Sequence, residues 1–201
     1  MCCKEMLGGL RHRLGKRKGM QLVGINRWAL LGMAVWCAGP VAAESVCAFQ
    51  AYTVADPSVE VHIVDAPRAG AKVLGVAPHY QPEGEEWLFG PEFTVTGMQD
   101  GWARVRDVTD WNREAWGPDG WINGELIRFV AQTETVFAGP DAGAAVVWQS
   151  TDIWPTAFAV HDCTGEWAEI SFREDGPQTV RGWVRGICGI QETTCDGVQG
   201  D

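Results

Sequence analysis

The sequence predicts an all-β protein built from two copies of one small barrel. Three observations lead there. After position 44, glycine and proline recur every few residues and punctuate short runs rich in Val, Ile, Phe, Thr and Trp, the pattern of short strands joined by turns. Pro67-Arg-Ala-Gly70-Ala-Lys-Val73 reappears as Pro140-Asp-Ala-Gly143-Ala-Ala-Val146, 73 residues later. The likeness then continues in order: residues 93–105 match 158–170 at an offset of 65, and Gly120-Trp121-Ile122 matches Gly182-Trp183-Val184 at an offset of 62. Ordered matches with a shrinking offset mean one fold written twice with different loops, and such a repeat governs the architecture.

The strands follow from local alternation. Residues 59–64 alternate over their first half, and residues 93–96, 102–106 and 167–172 read as strands of period two. The first copy is placed at residues 59–130 and the second at 133–190. Residues 44–58 form an N-terminal segment and 191–201 a C-terminal tail. The join at 129–134 holds neither Gly nor Pro, so the copies are expected to pack closely rather than swing on a tether. Each copy is near the lower size limit of a self-sufficient fold. Tryptophan offsets this, since nine of the 11 lie after residue 43 and one large aromatic buries about 150–250 Å².

Residues 1–43 read as an extension and a cleaved secretory signal. Arg27 supplies a positive flank, residues 28–38 an apolar stretch, Gly39-Pro40 a break, and Val41-Ala42-Ala43 small residues before Glu44. The apolar run is shorter than the roughly 20 residues of a membrane span. Residues 1–19 are basic and precede Met20, so either Met1 or Met20 fits as the start. The expected location is periplasmic or secreted, with no stable membrane insertion after cleavage.

Beyond residue 43 the chain holds nine basic and 25 acidic residues, a net charge of −16 with His neutral. Such a surface repels phosphate backbones and anionic membranes, which disfavours nucleic-acid binding. Four cysteines remain there: Cys47, Cys163, Cys188 and Cys195. An even count in an exported chain predicts two disulfides with three possible connectivities. One bond is expected within Cys163, Cys188 and Cys195, and the other to reach Cys47.

The motifs resemble the bacterial SH3-like (SH3b) domain family. Residues 138–146, Gly165-Glu-Trp167-Ala-Glu-Ile170 and Gly182-Trp183-Val184 carry the likeness in the second copy. Residues 66–73, Gly101-Trp102-Ala-Arg-Val105 and Gly120-Trp121-Ile122 carry it in the first. The usual Asn-Val-Arg opening is absent, and Ala66 stands where the second copy has Gly139. The resemblance implies two tandem SH3-like barrels that bind rather than catalyse, in the manner of modules that recognise cell-wall peptides or other proteins.

The repeated Trp102, Trp121, Trp167 and Trp183 are expected in or beside the core. Function is expected where the copies disagree. The first copy has eight extra residues between positions 76 and 93 and three extra after Val105. Those loops carry Tyr80, Trp87, Trp111 and Trp116, the expected ligand contacts, because loops on a rigid scaffold carry function more often than the scaffold does. Their acidic neighbours Glu85, Glu86, Asp110 and Asp119 favour a ligand with positive charge. His161-Asp162-Cys163 is a poor nucleophile site, since neighbours on a strand point to opposite faces. His62, His79 and His161 are widely separated and lack metal-ligand spacing. No cofactor, metal or catalytic residue is expected. The leading expectation is an exported non-enzymatic module recognising a peptide, a peptidoglycan fragment or an envelope protein. The alternatives are an envelope scaffold protein without a small ligand and, least favoured, a small cysteine-dependent enzyme.

Overall fold

The computed structural model describes residues 43–191 apart from 85, 87, 111–113, 153 and 175–176. The described residues belong to one compact unit. They form β-structure throughout, with a single 3-10 turn and no α-helix among them. The chain opens with β1 (Ser45–Thr53). The first copy then supplies β2 (Val61–Val64), β3 (Val73–Ala77), β4 (Glu92–Gln99), β5 (Trp102–Thr109), β6 (Gly120–Asn123), the 3-10 turn Gly124–Leu126 and β7 (Ile127–Ala131). The second supplies β8 (Thr135–Phe137), β9 (Val146–Gln149), β10 (Thr156–Ala157), β11 (Ala159–Thr164), β12 (Trp167–Arg173), β13 (Thr179–Val184) and β14 (Ile187–Cys188).

The duplication is legible strand by strand. The first copy runs β4-β5-β6-β2-β3 across its sheet, and the second runs β11-β12-β13-β8-β9. Registers agree as well. Val95 faces Val105 and Met98 faces Ala103 in one sheet; Val160 faces Ile170 and Cys163 faces Ala168 in the other. Both long hairpins carry a one-residue bulge at the same place, at Thr96 and at His161. The bridge that ties each first strand to the sheet also recurs, as Val64 with Trp121 and Phe137 with Trp183.

That bridge explains the repeated Gly-Trp. A Cβ on Gly120 would stand 2.6 Å from Ile63 Cγ2 and 2.8 Å from the Val64 carbonyl oxygen. A Cβ on Gly182 would stand 2.7 Å from both Val136 Cγ1 and the Phe137 carbonyl oxygen. Only a residue without Cβ lets these strands meet. The four repeated tryptophans are half-buried. The deepest positions go instead to paired aliphatics: Ile63 and Val136, Val95 and Val160, Val105 and Ile170, Ile122 and Val184 are all essentially inaccessible.

The copies share strands. β1 pairs along β4 on one side and meets β7 on the other, while β7 also pairs with β10 and β14. The last strand of the first copy therefore joins elements of both. β1 belongs to neither copy in sequence, yet Cys47, Phe49, Ala51 and Thr53 alternate inward along it. Phe49 meets Phe129 of β7 edge to face, with centroids 5.5 Å apart, and buried residues of both copies form one apolar cluster. Cys47 is bonded to Cys163, with Cα atoms 5.7 Å apart, which ties β1 to the second copy. Cys188 is also disulfide-bonded; Cys195 lies outside the described residues.

Candidate functional site

Backbone hydrogen bonds close the bases of the two expanded loops. In the first, the Tyr80 and Phe89 amides donate to each other's carbonyls at 2.9 and 2.8 Å, and His79 Nε2 donates to the Val59 carbonyl at 3.0 Å. In the second, the Asp110 amide donates to the Glu114 carbonyl and the Glu114 amide to Asp110 Oδ1, both at 3.0 Å. The Trp116 amide donates to the Val108 carbonyl. A Cβ on Gly75 would stand 3.2 Å from Pro118 Cδ, so the second loop lies against β3, the strand from which the first departs. Tyr80 is 41% exposed and Trp116 36%. Trp87, Trp111 and Glu85 lie outside the described residues.

The structure adds groups that the loop argument missed. A cavity of about 520 Å³ is lined by Glu44, Val46, Thr96, Arg104, Arg106 and Asp119. It joins β1, β4, β5 and the end of the second loop. Glu44 lies across Gly97, where a Cβ would come within 2.5 Å of its carboxylate, and accepts from Arg104 Nη1 at 3.3 Å. Among the described residues the Arg106 side chain makes one ion pair, Nε to Asp107 Oδ2 at 3.4 Å. Asp107 has φ 54, a left-handed conformation that costs a non-glycine residue about 1 kcal/mol. The signal for the two arginines was in the sequence: alternation along residues 102–106 puts Arg104 and Arg106 together on the outward face of β5.

The second copy is an internal control for this face. Thr96, Arg104, Arg106 and Asp119 correspond to His161, Glu169, Ser171 and Arg181. There the groups satisfy one another. Arg181 makes a two-pronged contact with Glu169 at 3.0 and 2.7 Å, and His161 Nε2 bonds the buried Ser171 Oγ at 2.8 Å. In the first copy the signs are exchanged, Arg104 turns to Glu44, and Asp119 makes no ion pair among the described residues. Among the described residues, the groups of this face thus pair with one another in the second copy and line a cavity in the first.

The trio His161-Asp162-Cys163 is not a thiol site. Cys163 is consumed by its disulfide, and Asp162 accepts from Ser45 Oγ at 2.7 Å. Burial pushes the His161 pKa below the ordinary histidine value, and the nearby Arg181 pushes it further. Glu169 and Glu125 act in the opposite sense. The folded protein therefore binds this proton less readily than the unfolded chain. Stability from this site is complete above the ordinary histidine pKa and falls as pH drops below it. Melting curves of wild type and His161→Gln from pH 7.5 to 4.5 should show a smaller acid-side decline in the variant.

No group of three His, Cys, Asp or Glu among the described residues is placed to hold a metal ion. No helix among them is long and apolar enough to cross a membrane. No protein-family model matches the chain, and no curated protein matches it closely enough to mark a relative.

Proposed function

We propose that the protein is an exported, non-enzymatic binding module made of two tandem SH3-like barrels. In this reading the first barrel takes a peptide, a peptidoglycan fragment or an envelope protein, and the second is structural support. The observation that carries it is the asymmetry between the copies. Equivalent side chains are mutually satisfied in the second copy but surround a cavity of about 520 Å³ in the first, within the usual size range of ligand sites. The exposed aromatics Tyr80 and Trp116 stand on loops anchored to the same copy. SH3-like barrels are supported by the twice-repeated strand order and by the bulges that recur with it.

Export is supported by the buried Cys47–Cys163 bond, which belongs to an oxidising compartment. Cleavage after Ala43 would leave Glu44 as the first residue, one position before β1 begins. The cleaved chain would then start at the cavity.

A second reading, a scaffold that contacts other envelope proteins, draws on exposed apolar groups away from the cavity. Val73, Leu74 and Val76 on β3, Val146 and Val147 on β9, and Trp154 are each at least 41% exposed. Sedimentation with purified peptidoglycan and pull-down from envelope extract separate the two. The first reading expects the protein in the peptidoglycan pellet and a loss of at least tenfold for Tyr80→Ala/Trp116→Ala. A partner recovered without sedimentation, and recovered equally by the Tyr80→Ala/Trp116→Ala variant, favours the scaffold.

A further inference from the structure

Arg106 is the anomaly of the open face. The chain beyond residue 43 has nine basic residues against 25 acidic ones, yet two of the nine stand side by side on β5 and line one cavity. Arg104 is engaged by Glu44. Among the described residues Arg106 pairs only with its sequence neighbour, through Nε, and its two terminal nitrogens make no hydrogen bond. A guanidinium fork is built to take a carboxylate with two parallel bonds. At the equivalent position of the second copy stands Ser171, already bonded to His161, so this fork is not a requirement of the fold.

The rest of the lining has the complementary chemistry. Asp119 is exposed and makes no ion pair among the described residues. The Thr96 hydroxyl, which donates to the Arg104 carbonyl at 3.4 Å, keeps its oxygen as an acceptor, and Val46, 74% exposed, adds an apolar surface. We infer that the cavity between β1 and β5 binds the free carboxyl end of a short peptide, with Arg106 holding the terminal carboxylate and Asp119 an amino group of the same ligand. Val46 covers a small apolar side chain between them. This rests on the binding-module reading and adds the ligand's chemical form: a zwitterionic peptide rather than a merely cationic one. A partner presenting only basic side chains would leave Arg106 opposed to like charge.

The test uses trialanine, its C-terminal amide and its N-acetyl form, titrated into ¹⁵N-labelled protein. Trialanine should give saturable amide shifts at Thr96, Arg104 and Asp119. The amide should bind at least tenfold more weakly, as should trialanine with Arg106→Gln. N-acetylation and Asp119→Asn should each weaken binding several-fold, and so should raised salt, because the charges are exposed. Arg173→Gln, on the second copy, should bind as wild type. Equal binding of acid and amide, an unaffected Arg106→Gln, or shifts confined to β11–β13 would overturn the inference. Peptidoglycan sedimentation of Arg106→Gln distinguishes the failures. If it is retained while the loop variant loses it, the module reading stands and the carboxylate site falls; if wild type neither sediments nor gives saturable shifts with trialanine, both fall.

Discussion

Replacing Cys47 and Cys163 together by serine should lower stability by about 4–5 kcal/mol. The bond joins positions 116 apart in sequence, and closing so long a loop removes much of the unfolded chain's entropy. For a protein of this size the melting temperature should fall by on the order of 10 °C. The folded state should survive, because β1 remains paired with β4 from Ser45 to Tyr52 and Phe49 stays buried. Both sulfurs belong to residues no more than 5% exposed, so wild type should resist mild reductant and lose the bond only on unfolding. Thermal melts of wild type and the double variant would reveal the difference. An unchanged melting temperature would mean that the link carries no stability.

Gly182→Val should be comparably damaging, by about 3 kcal/mol or more. Its Cβ would sit 2.7 Å from the Phe137 carbonyl oxygen, a backbone atom that has nowhere to retreat, and 2.8 Å from Val147 Cγ2. β13 is joined to β8 at the single pairing of Trp183 with Phe137, so the side chain would prise the β8–β9 hairpin from the sheet. Overpacking usually costs 1–3 kcal/mol, and a collision with backbone lies at the upper end of the range. Gly120→Val should behave alike, since the same strands meet there in the first copy. Gly143→Ala is the contrast. Beyond its chain neighbours, its Cβ would come no nearer than 3.5 Å to another atom, Asp141 Oδ1, and stability should change by less than about 0.5 kcal/mol. Chemical denaturation of the three variants would rank them.

Most of the frame was legible because it is written twice. The ordered offsets of 73, 65 and 62 correspond to the β2–β8, β5–β12 and β6–β13 equivalences. Even the bulges at Thr96 and His161 fall at matched positions. What single-strand patterns did not reveal was long-range pairing. β1 alternates through Cys47, Phe49 and Ala51, but nothing local says that it will lie between β4 and β7. The exchange of partners at β7 is hidden for the same reason, since hydrogen-bond partners far apart in sequence leave no periodicity. At the candidate site, loop length pointed to the first copy, which also carries the cavity, and Tyr80 and Trp116 are exposed there. The cavity itself needs Glu44, Thr96, Arg104 and Asp119 brought from four segments. A linear reading gave the loop acids more weight than the two arginines, because net charge is a sum over the whole surface and a ligand meets only one face.

In the proposed function the two copies have divided their roles, with ligand bound by the first alone. Amide chemical-shift mapping with solubilised peptidoglycan fragments measures this directly. Saturable shifts should cluster at Tyr80, Thr96, Arg104, Trp116 and Asp119 and leave Glu169, Ser171 and Arg181 in place. Shifts centred on the second copy, or none at saturating fragment, would contradict it.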